Sequence, residues 1–294
     1  MKLSKDQELY RQLTEQFAEE LYNLAEKDIN KILLLQKNDR DILLVELSKI
    51  MMHYNTTDNV LNLSSTEKVK ISNKLNKVIN EAMKEEIKSE TDKITEILKK
   101  SGLDKYYTNS YILSLGLIFT IKKVDDKVLN RIIKKTIKGK NYSDRIWDNK
   151  NKVAKLLRNE VKKFVNGETN LNKIEKLIKN IFNANAYNTK RLAQTEIARV
   201  MEGLNDAWQW ENDIKWVLYS ATLDMKTCND CGQYDGLVFD IDKKPVELPK
   251  HPMCRCTYIA LPHKGYRPKT RRDNENKHSV NWTTYGKWKE ENNI

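Results

Sequence analysis

Four cysteines and one histidine near the carboxyl end of the 294-residue chain form two clusters that could bind a metal ion. Cys228 and Cys231 make a Cys-x2-Cys pair, and the segment His251-Pro-Met-Cys254-Arg-Cys256 follows after an intervening loop. A Cys-x2-Cys turn directs two thiolates at one point, and a second cluster from a distant loop completes a tetrahedron. The two clusters together predict a bound zinc ion.

These five candidate ligands compete for the four positions of a tetrahedral site. Four cysteines already fill such a site, so we favour Cys228, Cys231, Cys254 and Cys256, with His251 as a substitute for Cys254 or as an outer partner. A closed site of this kind has a structural role, because it leaves no open position for water or substrate. A redox pair is the alternative, but that function is typical of a βαβ setting, whereas this motif follows a single predicted strand.

A polar stripe lies upstream of the cysteines, within a predicted helix. Thr195, Arg199 and Glu202 are three or four residues apart and so share one helix face. They could be an ordinary surface salt-bridge ladder. Alternatively, Arg191, Thr195 and Glu196 support the loops that carry the metal ligands.

The elements that must position these residues fall into two kinds. The first two-thirds of the chain shows apolar stripes with the 3.6-residue period of amphipathic helices. The stripes are Tyr10, Leu13, Phe17, Leu21 and Leu24; Leu75, Ile79, Met83, Ile87, Ile94 and Ile97; Val128, Leu129, Ile132, Ile133 and Ile137; Val153, Leu156, Leu157, Val161 and Phe164; and Leu171, Ile174, Leu177, Ile178 and Ile181. Proline is absent before position 245, so the early loops and caps must use Asn, Asp, Ser and Thr, as at Ser143 or Asp144.

The chemistry of the chain changes near residue 213. Aromatic and β-branched residues predict strands at 214–221, 237–239 and 257–261, and all the prolines and cysteines lie beyond the first of them. The predicted fold is therefore mostly α. An elongated helical region at 1–184 precedes a small α+β domain at 185–262 with a zinc-stabilised Cys/His site, and a basic tail containing aromatic residues occupies 263–294.

Net charge points to a polyanionic partner. The formal net charge is +12, which attracts nucleic acid at long range. The tail combines Lys264, Arg267, Lys269, Arg271 and Arg272 with aromatic residues, a combination that suits phosphates and unstacked bases. A solvated, partly disordered tail is the alternative.

No apolar stretch reaches the ~20 residues of a membrane span, and the charged amino terminus predicts no signal peptide, so we expect synthesis in a reducing cytoplasm.

A resemblance joins several of these motifs. Arg191, Thr195-Glu196 and Arg199 are followed in order by Trp216, Asp224, Thr227-Cys228-Asn-Asp-Cys231, Asp235-Gly236 and His251-Pro-Met-Cys254-Arg-Cys256. This series resembles the C-terminal domain of the phage Mu F-like head-morphogenesis family over about residues 185–262. The resemblance implies that Asp224, Asp235 and Gly236, like Arg191, Thr195 and Glu196, support the metal loops.

The same resemblance implies a function. Members of the family are minor head proteins of tailed phages, made in the host cytoplasm and found inside the capsid. The resemblance therefore implies the portal protein and a scaffold or major capsid protein as partners. It also implies non-specific contact with DNA, with which such a protein could be ejected.

Two other functions compete with this assignment. A metal-dependent nuclease needs an open metal position and a general base, but His251 and His263 are the only histidines close to the cysteines in sequence, and no paired His-Asn constellation surrounds them. A DNA-binding regulator would need a compact reading motif, and the long helices do not predict a helix-turn-helix. We therefore expect a structural protein and not an enzyme.

Overall fold

The computed structural model describes residues 5–57, 59–114, 122–266 and 269–293, apart from the side chains of 5–24 and 112–114. Its long helices precede small sheets, which confirms the mostly α class with a small α+β region at the carboxyl end. The helices are α1 (Lys5–His53), α2 (Ser65–Ser114), α3 (Asp126–Ile133), α4 (Tyr142–Val165), α5 (Leu171–Glu211), α6 (Asn229–Gly232) and α7 (Tyr285–Glu291). None of the described helices is both long and apolar enough to cross a membrane.

The strands form three small antiparallel sheets. β1 (Thr56–Thr57) pairs with β2 (Val60–Leu61) between the first two long helices. β3 (Trp216–Ser220) is the central strand of a sheet with the order β4-β3-β5, in which β4 is Val238–Asp240 and β5 is Thr257–Leu261. The strands predicted near 214–221, 237–239 and 257–261 are thereby confirmed. A further hairpin joins β6 (Thr270–Asp273) to β7 (His278–Asn281).

The described residues divide into two compact units. The helical unit comprises 27–95 and 136–191, and the C-terminal unit comprises the described residues of 1–26, 96–135 and 192–294. The helical unit has a core of its own, drawn from α1, α2, α4, α5 and β2. Its buried members include Leu43, Leu47, Ile50, Leu61, Leu75, Ile79, Met83, Val153, Leu157, Val161, Phe164, Ile174, Ile178 and Phe182.

Three of the predicted stripes supply residues to this core, whereas Leu129 and Ile133 of the stripe that begins at Val128 are buried outside it. Leu156 and Leu177 are exposed, as is Ile137. The stripe that runs from Tyr10 to Leu24 lies outside the described side chains.

Asparagine, aspartate and serine cap the helices of this region, as the absence of proline led us to expect, and the N-cap of α3 is Asp125. The N-cap of α4 is Asn141, and not Ser143 or Asp144 as predicted. Asp144 instead closes a capping box with Asn141, in which each side chain accepts a hydrogen bond from the backbone N–H of the other. Ser64 and Glu67 form the same reciprocal pair at the start of α2.

A layer of buried polar side chains crosses the helical unit. Lys150 is fully buried, and its Nζ lies 2.8 Å from a carboxylate oxygen of Glu86 and 2.7 Å from one of Glu90. It also donates to Asn185 Oδ1 at 3.0 Å. Gln36 and Thr189 donate to Glu90, so α1, α2, α4 and α5 all contribute to the layer. Lys150 is thus the cation that faces both carboxylates of this layer, as a buried charge requires a partner.

Candidate metal centre

The Cys-x2-Cys pair lies where the chain leaves the central strand of the C-terminal sheet. Cys228 is the N-cap residue of the short helix α6, and its carbonyl accepts hydrogen bonds from the backbone N–H groups of Cys231 and Gly232. This turn brings both sulfurs to one place, since each lies 3.3 Å from the same imidazole nitrogen of His251. Cys231 is buried and Cys228 is half-buried.

The orientation of His251 suits it to bind a metal. Its Nδ1 lies 2.9 Å from the carbonyl oxygen of Pro252, where it can only donate a hydrogen bond. The proton is therefore placed on Nδ1, which leaves the lone pair of Nε2 facing Cys228 and Cys231. A histidine ligand whose other ring nitrogen donates to a backbone carbonyl is the usual arrangement at metal sites.

The remaining cysteines complete the cluster. Cys254 Sγ lies 3.9 Å from Cys231 Sγ, close to the ~3.8 Å edge of a tetrahedron with 2.3 Å zinc–sulfur bonds. The candidate donor atoms form two groups, each with all members within 4.8 Å of one another. One contains Cys228, Cys231 and His251, and the other Cys231, Cys254 and Cys256, so Cys231 belongs to both.

The electrostatics of the cluster also favour a cation. Hydrogen bonds from Cys231 and Cys256 lower the pKa of the Cys254 thiol, whereas the pKa values of Cys231 and Cys256 are raised by the same thiol contacts. In the absence of a cation, ionisation of one of these three sulfurs therefore disfavours ionisation of the other two. A soft divalent cation would allow the other thiols to ionise, so the donor set fits zinc in number, softness and burial.

Two of the predicted supporting residues hold the second cluster. The Asp224 carboxylate forms a two-pronged ion pair with Arg255, at 2.5 and 2.8 Å, between Cys254 and Cys256 in the chain. Thr195 Oγ1 accepts a hydrogen bond of 3.0 Å from the backbone N–H of Met253. These contacts fix the backbone on both sides of Cys254.

Glu196 and Arg191 are placed differently. Glu196 binds the guanidinium of Arg199 at 2.7 Å, and Arg199 in turn donates to the carbonyls of Ile132 and Ile133 at the end of α3. Within the described part of the chain, the contacts of Glu196 therefore anchor α3, through Arg199, and not the metal loops. Arg191 is exposed on α5, and its supporting role remains a prediction.

Asp235 and Gly236 hold the turn between α6 and β4 against the last part of the chain. Buried Asp235 accepts hydrogen bonds from the backbone N–H groups of Ala221 and Tyr285 and pairs with Arg271 at 2.7 Å. Gly236 has a φ of +78°, and a Cβ there would lie only 3.0 Å from the Trp282 ring. Both conditions select glycine.

One nucleic-acid contact predicted in the tail is wrong. Arg271 was predicted to contact nucleic acid, but it is buried and donates to Asp235 and to the carbonyls of Ala221 and Thr283. Lys264 is exposed, with its ammonium 4.8 Å from the Trp216 ring centroid, Lys269 is exposed, and Arg272 is half-buried. Arg267 lies outside the described residues.

Sequence reasoning also missed a set of contacts between α5 and β5. Asn205 and Gln209 both donate to the carbonyl of Tyr258, and Glu202 accepts from its N–H. The signal was present, because residues 202, 205 and 209 share the helix face that begins with Thr195. This face binds the strand that directly follows Cys256.

One comparison with known proteins agrees with this geometry. Residues 151–259 match the family described as Phage Mu protein F like protein. The match confirms the resemblance found in the sequence and indicates a phage head-morphogenesis protein. It includes most of α4, all of α5 and every candidate metal ligand. No curated protein and no solved structure matches the chain.

The burial of Arg271 leads to a prediction about stability. Arg271→Met should lower the free energy of unfolding of the C-terminal unit by about 3 kcal/mol, because the Asp235 carboxylate would stay buried without its cation. Exposed Lys269→Met is the matched control and should change stability little. Chemical denaturation followed by tryptophan fluorescence measures both. An Arg271 variant of unchanged stability but weakened DNA binding would restore the original assignment.

Proposed function

We propose that this protein is a minor head protein that acts in phage head morphogenesis, inside the capsid and in association with the portal. The observation that carries the proposal is that one family match spans both α5 and the complete Cys/His cluster. The portal protein and a scaffold or major capsid protein are its partners during assembly. Duplex DNA, bound without sequence preference, is a further partner supported by the net charge of +12.

The second part of the proposal concerns the metal. We infer that Cys228, Cys231, His251 and Cys254 hold a structural zinc ion, because His251 Nε2 lies 3.3 Å from the sulfurs of Cys228 and Cys231 and Cys254 Sγ lies 3.9 Å from that of Cys231. Cys256 is then the outer thiol, placed with Cys231 near the buried hydroxyl of Tyr219. The four-cysteine set that the sequence favoured is the alternative. Four protein ligands give a closed site, which serves stability and not catalysis.

A phage that cannot make the protein tests the assembly role. An early nonsense codon in the gene should reduce infectious particles strongly and leave heads that are absent, misshapen or empty in electron micrographs of the lysate. A plasmid copy of the wild-type gene should restore them. Normal, DNA-filled and infectious heads without the protein would overturn the proposal.

Portal association has its own experiment. When the phage portal protein and tagged full-length protein are made together, the two should co-purify, while a tagged unrelated basic protein of similar size should not retain the portal. If the tagged protein does not retain the portal protein at low salt or at high salt, the two proteins do not associate.

We also predict that the purified protein does not cut DNA. Incubation with supercoiled plasmid and Mg²⁺ or Mn²⁺ should leave the plasmid intact on a gel, because a closed metal site offers no position for water or phosphate. Cutting that disappears in a His251→Ala or His263→Ala variant would instead establish a nuclease.

A further inference from the structure

The positive charge of the chain is concentrated in one segment of the helical unit. Residues 136–191 contain 14 Lys and Arg but only five Asp and Glu, so this segment carries +9 of the total net charge of +12. By contrast, residues 65–95 of α2 contain seven Lys and six acids. The tail that the sequence analysis favoured, residues 263–294, contains eight Lys and Arg and four acids, so its excess of +4 is smaller.

Within α4 the excess forms one continuous face. At 100° per residue, eight exposed side chains fall within a sector of about 140°. They are five basic residues and three amides, namely Asn151, Lys152, Lys155, Arg158, Asn159, Lys162, Lys163 and Asn166. We call this set the α4 basic face. Two acids in the first turns of α4, Asp144 and Asp148, lie in the same angular sector, and Asp148 is paired with Lys140. Glu160 lies outside the sector and is paired with Lys163 at 2.9 Å.

Several cations of this face have no acidic partner. Lys152, Lys155 and Lys162 make no ion pair within the described part of the chain, whereas three of the seven lysines between residues 65 and 95 of α2 have an acidic partner. Lys74 binds Glu46, Lys77 approaches Glu81 and Lys88 binds Asp92. A lysine without an acidic partner is available to neutralise a phosphate, and this releases cations condensed on the DNA, which drives binding.

The composition of the face selects the class of partner. Protein interfaces are built around aromatic and apolar anchors and are depleted in lysine, and the α4 basic face contains no apolar side chain. Lysine, arginine and asparagine are instead the donors that bind phosphate oxygens, and such contacts carry no sequence information. From residue 152 to residue 163 the face extends about 17 Å, enough for several successive phosphates.

We propose that the α4 basic face is the principal surface by which this protein binds duplex DNA, without sequence preference. That the bound duplex is the packaged genome rests on the proposed function, whereas the binding itself does not.

The experiment compares three variants of the full chain by fluorescence anisotropy with a labelled duplex of about 30 base pairs over a range of salt concentrations. The test variant is Lys152→Gln with Lys155→Gln and Lys162→Gln. The matched control is Lys74→Gln with Lys77→Gln and Lys88→Gln, which removes the same charge from α2. A third variant carries Lys264→Gln and Lys269→Gln in the tail. Circular dichroism and thermal melting confirm that each variant is folded.

The α4 variant should weaken binding by about tenfold or more at low salt and reduce the slope of log K against log salt by about 2.7, or about 0.9 for each lost phosphate contact. The α2 control and the tail variant should keep most of the affinity and slope. An equal loss in the α2 control, a larger loss in the tail variant, or no salt-dependent binding by the wild type would overturn the proposal. Normal heads made without the protein would refute the assembly role but leave this result standing.

Discussion

Replacing Cys228 and Cys231 together by serine should unfold the chain after about residue 213 while leaving most of the helical signal intact. Both cysteines contact His251, and Cys231 also links the two ligand groups, so the double variant removes the centre of the cluster. A structural zinc site contributes on the order of 10–16 kcal/mol to the folding of a small module, against ~5–15 kcal/mol for the stability of a whole domain. The short strands β3, β4 and β5 should not remain together without it.

The helical unit should survive this change because its core contains no residue of the metal centre. Far-UV circular dichroism should show most of the helix retained, and limited proteolysis should leave a resistant amino-terminal fragment. Exposed Met225→Ser, in the same loop, is the control and should remain resistant throughout. A protease-resistant C-terminal region in the double variant would refute the structural zinc site. The cysteines would then serve redox chemistry or have no role.

Lys150→Met should destabilise the helical unit by about 3–5 kcal/mol, because Glu86 and Glu90 would be left buried without a cation. The contribution of this ion pair to stability is large because all three side chains are buried, each at most 1% exposed. Asp39 adds a further carboxyl to the layer. Burial and the neighbouring Glu86 carboxylate already raise the pKa of Asp39 to about 7, so the layer has no spare positive charge.

Two further variants show whether the loss of stability comes from the buried, unpaired carboxylates. Lys88→Met removes an exposed ion pair with Asp92 and should have little effect on the melting temperature. Lys150→Met combined with Glu86→Gln and Glu90→Gln removes the uncompensated charge and should recover part of the loss. Denaturation by urea measures the stability of all three variants. A Lys150→Met variant as stable as the wild type would show that the buried ion pair does not stabilise the helical unit.

The helical periodicity predicted where the core lies but not everything that it contains. In α2 the apolar residues Leu75, Ile79, Met83, Ile94 and Ile97 are buried as their spacing predicts. Between Met83 and Ile94, however, the buried positions are Glu86 and Glu90, while Ile87 is only half-buried. A charged residue is normally assigned to the surface, and only the partner Lys150 on α4 explains this exception.

The candidate site shows the same division. The spacing of the cysteines and His251 predicted the cluster, because ligand spacing is a local property of the chain. The hairpin β6–β7 and helix α7 were not predicted, since β6 reads Thr-Arg-Arg-Asp and the charge of Arg271 is neutralised by Asp235, which is distant in sequence. Contacts between residues far apart in sequence cannot be inferred from periodicity alone.

The central claim is that the Cys/His cluster is a structural zinc site in a phage head-morphogenesis domain, and the metal content of the purified protein tests its chemical half most directly. Elemental analysis of full-length protein prepared without chelator should find about one zinc per chain, and the Cys228→Ser, Cys231→Ser variant should contain none. Wild-type protein that is folded through its C-terminal unit yet contains no zinc would contradict the account.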